Sequence, residues 1–193
     1  ATLDLARILM MDSARIQTQD SEYSNKHRQR KGLQLIEPLY TEADVIAALR
    51  LFKIVEYNTD HEIDTRITLH FTDAGHILGS TAVHLSILEN GKLTQITFSG
   101  DVGRYGDLLL KSPQTFPQAD YILLESTYGD SLHKDLEPTE GQLAAIIHQT
   151  CALKGGKIII PAFSVGRTQE ILYALNSLEL KGKLPEIQYY VDS

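Results

Sequence analysis

A single cysteine, Cys151, stands among 193 residues, which excludes an internal disulfide framework and any cysteine-rich zinc knuckle. It fits a reducing compartment, with the cytoplasm as the expected location. No apolar run approaches the length of a membrane span, so no membrane partner is expected. Basic residues are in the minority: 18 Lys and Arg face 25 Asp and Glu, for a net charge of −7. That balance argues against a protein that coats nucleic acid with a broad basic face, because phosphate neutralisation needs clustered cations. A nuclease stays open, since bound divalent cations can meet phosphate charge locally. The one basic run, Lys26-His-Arg-Gln-Arg-Lys31, reads as a solvated helix end that could add to such a site. The first ten residues lack the charged-then-apolar layout of a secretory signal.

What is present is a soluble globular composition, 42% hydrophobic and 22% charged, long enough to bury an ordinary core in one or two domains. Leu5, Ile8, Leu9 and Ile16 recur near helical spacing, which predicts a helix over 2–24 with Thr2 as its N-cap. Thr41-Glu-Ala-Asp44 resembles a capping box and predicts a second helix to about Phe52. From Arg66 the period falls to two. Residues 67–71, 82–88 and 93–98 read as strands of a small antiparallel sheet, with Glu89-Asn-Gly-Lys92 as a hairpin turn. Tyr121–Glu125 reads as a buried strand. After it the pattern alternates: helix over 139–154, strand over 157–160, helix over 168–178, strand over 187–191, which suggests a second unit with parallel pairing. Gly155-Gly156 reads as a helix stop.

Four segments carry potential chemistry, each where a strand stops. In Asp73-Ala-Gly-His76-Ile-Leu-Gly-Ser80 the glycines permit a turn that projects an imidazole from the sheet edge, and neutral imidazole suits zinc, manganese or iron. In Phe98-Ser-Gly-Asp101-Val-Gly-Arg104 a carboxylate follows the next strand, and a carboxylate can bridge two cations. A lone histidine is more often a turn residue bonded to backbone; Asp101 is what favours the metal reading. Asp73 itself reads as an Asx-type cap of the turn rather than a reacting group. Asp12, in the middle of the first helix, faces the same choice.

Together with Glu125-Ser-Thr-Tyr-Gly129 and Pro161-Ala-Phe-Ser-Val-Gly-Arg-Thr-Gln-Glu170, these segments resemble the metallo-β-lactamase superfamily, specifically its β-CASP nucleases. The resemblance implies an α/β fold: a partial αββα sandwich over residues 1–129 and the beginning of a β-CASP α/β domain over 130–193. It implies a pair of zinc ions, with His76 ligating one and Asp101 bridging both, and hydrolysis of a phosphodiester, single-stranded RNA being the expected substrate and DNA the alternative. Glu125 matches the acidic residue that pairs with a proton-donating histidine, while Ser164 and Arg167 match the segment lining the substrate cleft. For Arg167, pairing with a nearby carboxylate at a helix start is an equal alternative. A homodimer is a further partner to consider.

The chain also departs from the pattern. The family's His-x-His-x-Asp-His signature is absent, and His61, His70, His84, His133 and His148 do not supply its spacing; the closing histidine motifs are absent as well. The sequence is therefore expected to be part of a longer nuclease, inactive and weakly zinc-binding by itself, because two ligands do not fix a two-metal site. The alternatives are a hydrolase of a small ester, thioester or lactam on the same sandwich, and a non-catalytic scaffold member.

Overall fold

The computed structural model describes residues 1–131 and 139–192; His133 therefore lies outside the described residues. The chain divides into two compact units, one of residues 1–105 and 112–124, the other of 106–111 and 125–193.

The first unit opens with helix α1 (Thr2–Arg30) and helix α2 (Glu42–Leu49). Helix α1 runs six residues beyond the expected end, and Thr2 is not its cap. The Thr2 hydroxyl donates instead to the Gly79 carbonyl at 2.7 Å, and Ala1 holds the cap position. At α2 the expected box is present. The Asp44 carboxylate accepts from the Thr41 N–H at 2.8 Å and from the Thr41 hydroxyl at 2.7 Å, and these bonds hold its pKa below the ordinary carboxylate value. The helices are joined by an Arg15–Glu42 ion pair. The connecting segment is pinned where Asn25 exchanges bonds with the Ile36 backbone at 2.8 and 2.9 Å.

A five-stranded sheet follows in the order β1 (Asp60–Asp64), β2 (Ile67–Asp73), β3 (Thr81–Glu89), β4 (Lys92–Phe98) and β5 (Tyr121–Leu123). The first four strands are antiparallel to their neighbours and β5 runs parallel to β4. The hairpin between β3 and β4 turns on Asn90 and Gly91, both at positive φ (52° and 77°), which is the twist-matched geometry that Asn-Gly favours. Strand β1 was not expected. Its residues, Asp60-His-Glu-Ile-Asp64, are all exposed, as suits a charged edge that discourages further pairing. Strand β5 is in place but not buried: Tyr121, Ile122 and Leu123 are 62%, 54% and 53% exposed. It closes the other edge of the sheet, and an apolar run signals a tendency to be covered rather than the cover itself.

The second unit contains α3 (Thr139–Ile147), continued by a π-helical stretch over His148–Leu153, and α4 (Arg167–Leu180). Gly155 at φ 60° ends the first helix, with the Gly156 N–H bonded to the Thr150 carbonyl at 2.8 Å, so the expected Gly-Gly stop is present. The two helices are tied through Glu140, which accepts from Lys181 Nζ at 2.7 Å and from the Ser177 hydroxyl at 3.3 Å. Two expectations fail here. Residues 157–160 and 187–191 are extended but form no ladder among the described residues; they line an apolar cavity of about 590 Å³ with Ile147, Cys151, Leu172 and Leu175. β-branched composition favours a pleated surface but cannot supply the partner strand that makes one.

Candidate metal centre

The loop after β2 is built around its polar backbone groups. The Asp73 carboxylate accepts from the Gly75 N–H at 2.8 Å, the Asx bond expected from the sequence. The Ser80 hydroxyl oxygen accepts from the N–H groups of His76 (3.0 Å) and Ile77 (3.2 Å), and the Ser80 N–H returns to the Ile77 carbonyl at 3.0 Å. Gly75 and Gly79 both have positive φ (64° and 84°), so the tight course of this loop needs residues without a Cβ. At Gly79 that freedom is also spatial, because a Cβ there would lie 2.7 Å from the Thr2 nitrogen. The loop is braced from outside as well. Tyr57 donates its hydroxyl to the Ser80 carbonyl at 2.8 Å, and burial together with the nearby Asp73 charge raises its pKa above the ordinary phenol value. Gln114 accepts from the Asp73 N–H at 2.7 Å and returns its own N–H to the Asp73 carbonyl at 2.9 Å.

The loop after β4 meets it. Gly100 has φ 56°, and the Gly103 N–H bonds the Ala74 carbonyl at 2.8 Å. The two backbones pass so closely at Gly103 that a Cβ there would fall 1.8 Å from the Gly75 carbonyl oxygen and 2.8 Å from the His76 nitrogen. This clasp brings the two expected ligands together: His76 Nε2 lies 3.8 Å from Asp101 Oδ2, both side chains open to solvent. Zinc binds imidazole nitrogen and carboxylate oxygen at about 2.0–2.2 Å, so two donors at this spacing can reach one ion. The donor types fit that metal. Among the described residues no group of three or more His, Cys, Asp or Glu side chains is disposed to hold an ion, whereas a zinc site takes about four ligands.

Beneath the two loops lies a polar layer that sequence reasoning missed. On one face of the sheet Thr72, His84 and Thr97 are 5%, 6% and 1% exposed. His84 Nε2 is 2.8 Å from the Thr72 hydroxyl and Nδ1 is 2.8 Å from the Thr97 hydroxyl. Burial, with a smaller contribution from His70, lowers the His84 pKa, so neutral imidazole is the favoured form. Alternation along β3 points the other way, since Val83, Leu85 and Ile87 carry its apolar phase; the register finds the layer, because His84 on β3 is paired with His70 of β2 and Thr97 of β4 and so shares their face. His70 itself pairs with Asp60 at 2.8 Å.

The remaining expected residues lie in the second unit. Glu125 follows β5 by two residues and accepts from the Thr127 hydroxyl at 2.7 Å. Arg167 opens α4, largely exposed, with Nε 3.7 Å from Glu170, the pairing named as its structural alternative. Ser164 is exposed, and its carbonyl accepts from the Gln169 amide at 3.0 Å. Asp12 is exposed on α1. Among the described residues no helix is long and apolar enough to cross a membrane.

No protein-family profile matches the chain, but individual relatives do. It is 35% identical over 158 residues to an RNase J-like protein of Methanocaldococcus jannaschii, covering 79% of this chain and 36% of that protein. It is 38% identical over 162 residues to the transcription termination factor FttA of Thermococcus kodakarensis, covering 81% of this chain and 24% of the relative. With ribonuclease TTHA0252 of Thermus thermophilus it shares 35% identity over 157 residues, 81% of this chain and 35% of the relative. The chain thus spans between a quarter and about a third of the length of these relatives.

Proposed function

Because the chain belongs to the β-CASP family of the metallo-β-lactamase superfamily, we propose that the whole protein is a zinc-dependent nuclease that hydrolyses phosphodiester bonds of single-stranded RNA. The observation that carries this reading is the 3.8 Å approach of His76 to Asp101 from two strand-end loops clasped at Gly103. The names of the relatives, a ribonuclease and an RNase J-like protein among them, favour RNA over DNA. Residues 1–129 are read as part of the metallo-β-lactamase domain and 130–193 as part of the β-CASP domain. The single free thiol, Cys151, fits a cytoplasmic setting.

In this reading His76, through Nε2, and Asp101, through its carboxylate, each supply a ligand, and Asp101 can serve both ions of a pair because a carboxylate has two oxygens. Zinc held there would supply charge stabilisation to a phosphoryl oxygen and lower the pKa of an attacking water. The chain's own contribution is geometric. The bonds of Ser80, Asp73, Tyr57 and Gln114 fix the backbone that carries His76 before any substrate arrives, so little reorganisation is left for the reaction. Glu125 is assigned to orienting the proton donor to the leaving oxygen, and Ser164 and Arg167 to contacting the substrate backbone; an arginine suits phosphate because its planar fork donates two parallel bonds.

Cleavage of a labelled single-stranded RNA by the whole protein tests this. Zinc-loaded protein should cleave, chelated protein should not, and Asp101→Ala should abolish cleavage; undiminished cleavage by Asp101→Ala would refute the assignment.

A further inference from the structure

We propose that His84 is a positioning residue, whose imidazole sets the spacing of the two ligand-bearing loops by fastening Thr72 of β2 to Thr97 of β4. The inference rests on the metal reading above and concerns how that centre is held.

Strands β2 and β4 are not neighbours; β3 separates them, which puts their backbones about 10 Å apart and beyond any main-chain hydrogen bond. Adjacent strands are twisted by an angle that varies over about 10–35°, so two intact ladders still leave the angle between β2 and β4 adjustable. A side-chain bridge across three strands removes that freedom. His84 provides one, with a 2.8 Å bond from each ring nitrogen. The anchors are placed symmetrically: Thr72 precedes His76 by four residues and Thr97 precedes Asp101 by four. The ladders end just past them, at Asp73↔Thr81 and Val83↔Phe98, so the bridge acts at the last point where the sheet can steer the loops. Above it the Gly103 N–H to Ala74 carbonyl bond joins the loops directly.

The bridge is itself fixed. Phe116 meets the imidazole edge-on at a centroid distance of 5.7 Å, and its segment is anchored to Asp73 through Gln114. A neutral imidazole presents one N–H and one bare nitrogen, and a threonine hydroxyl can answer either, so both ring positions are satisfied without charge. A bland alternative is a core histidine that merely satisfies its own polarity. It predicts effects on stability and none on the ligands.

The test uses the whole protein with Thr72→Val and Thr97→Val, which delete one hydroxyl each with little change of shape, and Thr72→Ser and Thr97→Ser, which keep it. Zinc affinity is measured by chelator competition, the ligand field by the visible absorption of the cobalt(II)-substituted protein, and folding by thermal unfolding. Residues that support metal ligands change affinity by about 10- to 100-fold when altered. Each valine variant is expected to weaken zinc about tenfold and alter the cobalt spectrum while still folding, and each serine variant to keep the parent's affinity and spectrum. Folded valine variants with the parent's affinity and cobalt spectrum would overturn the proposal. A parent protein that holds no zinc through His76 and Asp101 would overturn the metal reading instead. In that case the amide NMR shifts of the metal-free protein decide: the valine variants must move those of both His76 and Asp101, and changes confined to β2–β4 would overturn the clamp.

Discussion

Replacing Gly103 by alanine puts the clasp between the loops of His76 and Asp101, the proposed ligands, to a quantitative test. The added Cβ would lie 1.8 Å from the Gly75 carbonyl oxygen, 2.2 Å from its carbon and 2.8 Å from the His76 nitrogen. Ordinary carbon–oxygen contacts fall at about 3.3–3.6 Å, so the loops must part by about 1.5 Å. Backbone atoms on both sides leave no flexible side-chain tip to absorb the clash. The Gly103 N–H to Ala74 carbonyl bond, 2.8 Å at present, would then exceed hydrogen-bonding range. The same displacement would carry His76 and Asp101 beyond their 3.8 Å separation to more than about 5 Å, whereas two donors at about 2.1 Å can span no more than about 4.2 Å around one ion. Overpacking of this kind costs about 1–3 kcal/mol of stability, and a ligand misplaced by about 1 Å lowers activity on the order of a hundredfold. Chelator competition in the whole protein should therefore show zinc bound at least tenfold more weakly, with a lowered Tm and lost RNA cleavage. A Gly103→Ala protein with the parent's zinc affinity and Tm would refute the reasoning, because it would show that the close approach of the loops is not needed.

Four further outcomes follow from the same geometry. Asp73→Asn keeps the acceptor for the Gly75 N–H and should retain activity, while Asp73→Ala should lose it in part through a loosened loop; an inactive Asp73→Asn in a steady-state cleavage assay would make this carboxylate a reacting group. Glu125→Gln should lower kcat with zinc content nearly unchanged, and loss of zinc by elemental analysis would show it to be a ligand. The 193-residue polypeptide by itself should not retain stoichiometric zinc after desalting, since no group of three or more candidate ligands comes together among the described residues and a zinc shell takes about four; tight retention would contradict this. The lowered pKa of buried His84 means that the unfolded chain binds more protons than the folded one below the ordinary histidine value of 6.5. Stability should therefore fall as pH drops through that value towards the lower folded-state pKa and be independent of this group above it. Urea titrations of the parent and of a His84→Leu variant should differ in slope against pH over that window, and identical slopes would exclude His84 as the source.

The parts of this fold that were legible in the sequence are those dictated by local chemistry. Period-two runs with Asn90-Gly91 between them specify the β3–β4 hairpin, because few other residues accept positive φ at both turn positions. Thr41 and Asp44 specify the start of α2 in the same way. Both loops proposed to carry the ligands announce themselves through glycines at strand ends, and Asp73 through its Asx bond. What depended on distant chain was not legible. Gly103 looks like any loop glycine until the Gly75 carbonyl is seen against it. His84 looks solvent-facing within an alternating strand, and only its cross-strand partners show that it sits on the covered face. The isoleucines at 158–160 read as a strand, yet a ladder requires a partner that local propensity does not encode. Thr2 has the side chain of an N-cap but spends its hydroxyl on Gly79, a contact spanning most of the first unit's sequence.

The account stands on one ion shared by two side chains. Anomalous diffraction at the zinc absorption edge from crystals of the zinc-loaded whole protein should give a peak about 2.0–2.2 Å from both His76 Nε2 and an Asp101 carboxylate oxygen. Anomalous peaks confined to other residues, with His76 and Asp101 both bare of metal, would contradict it.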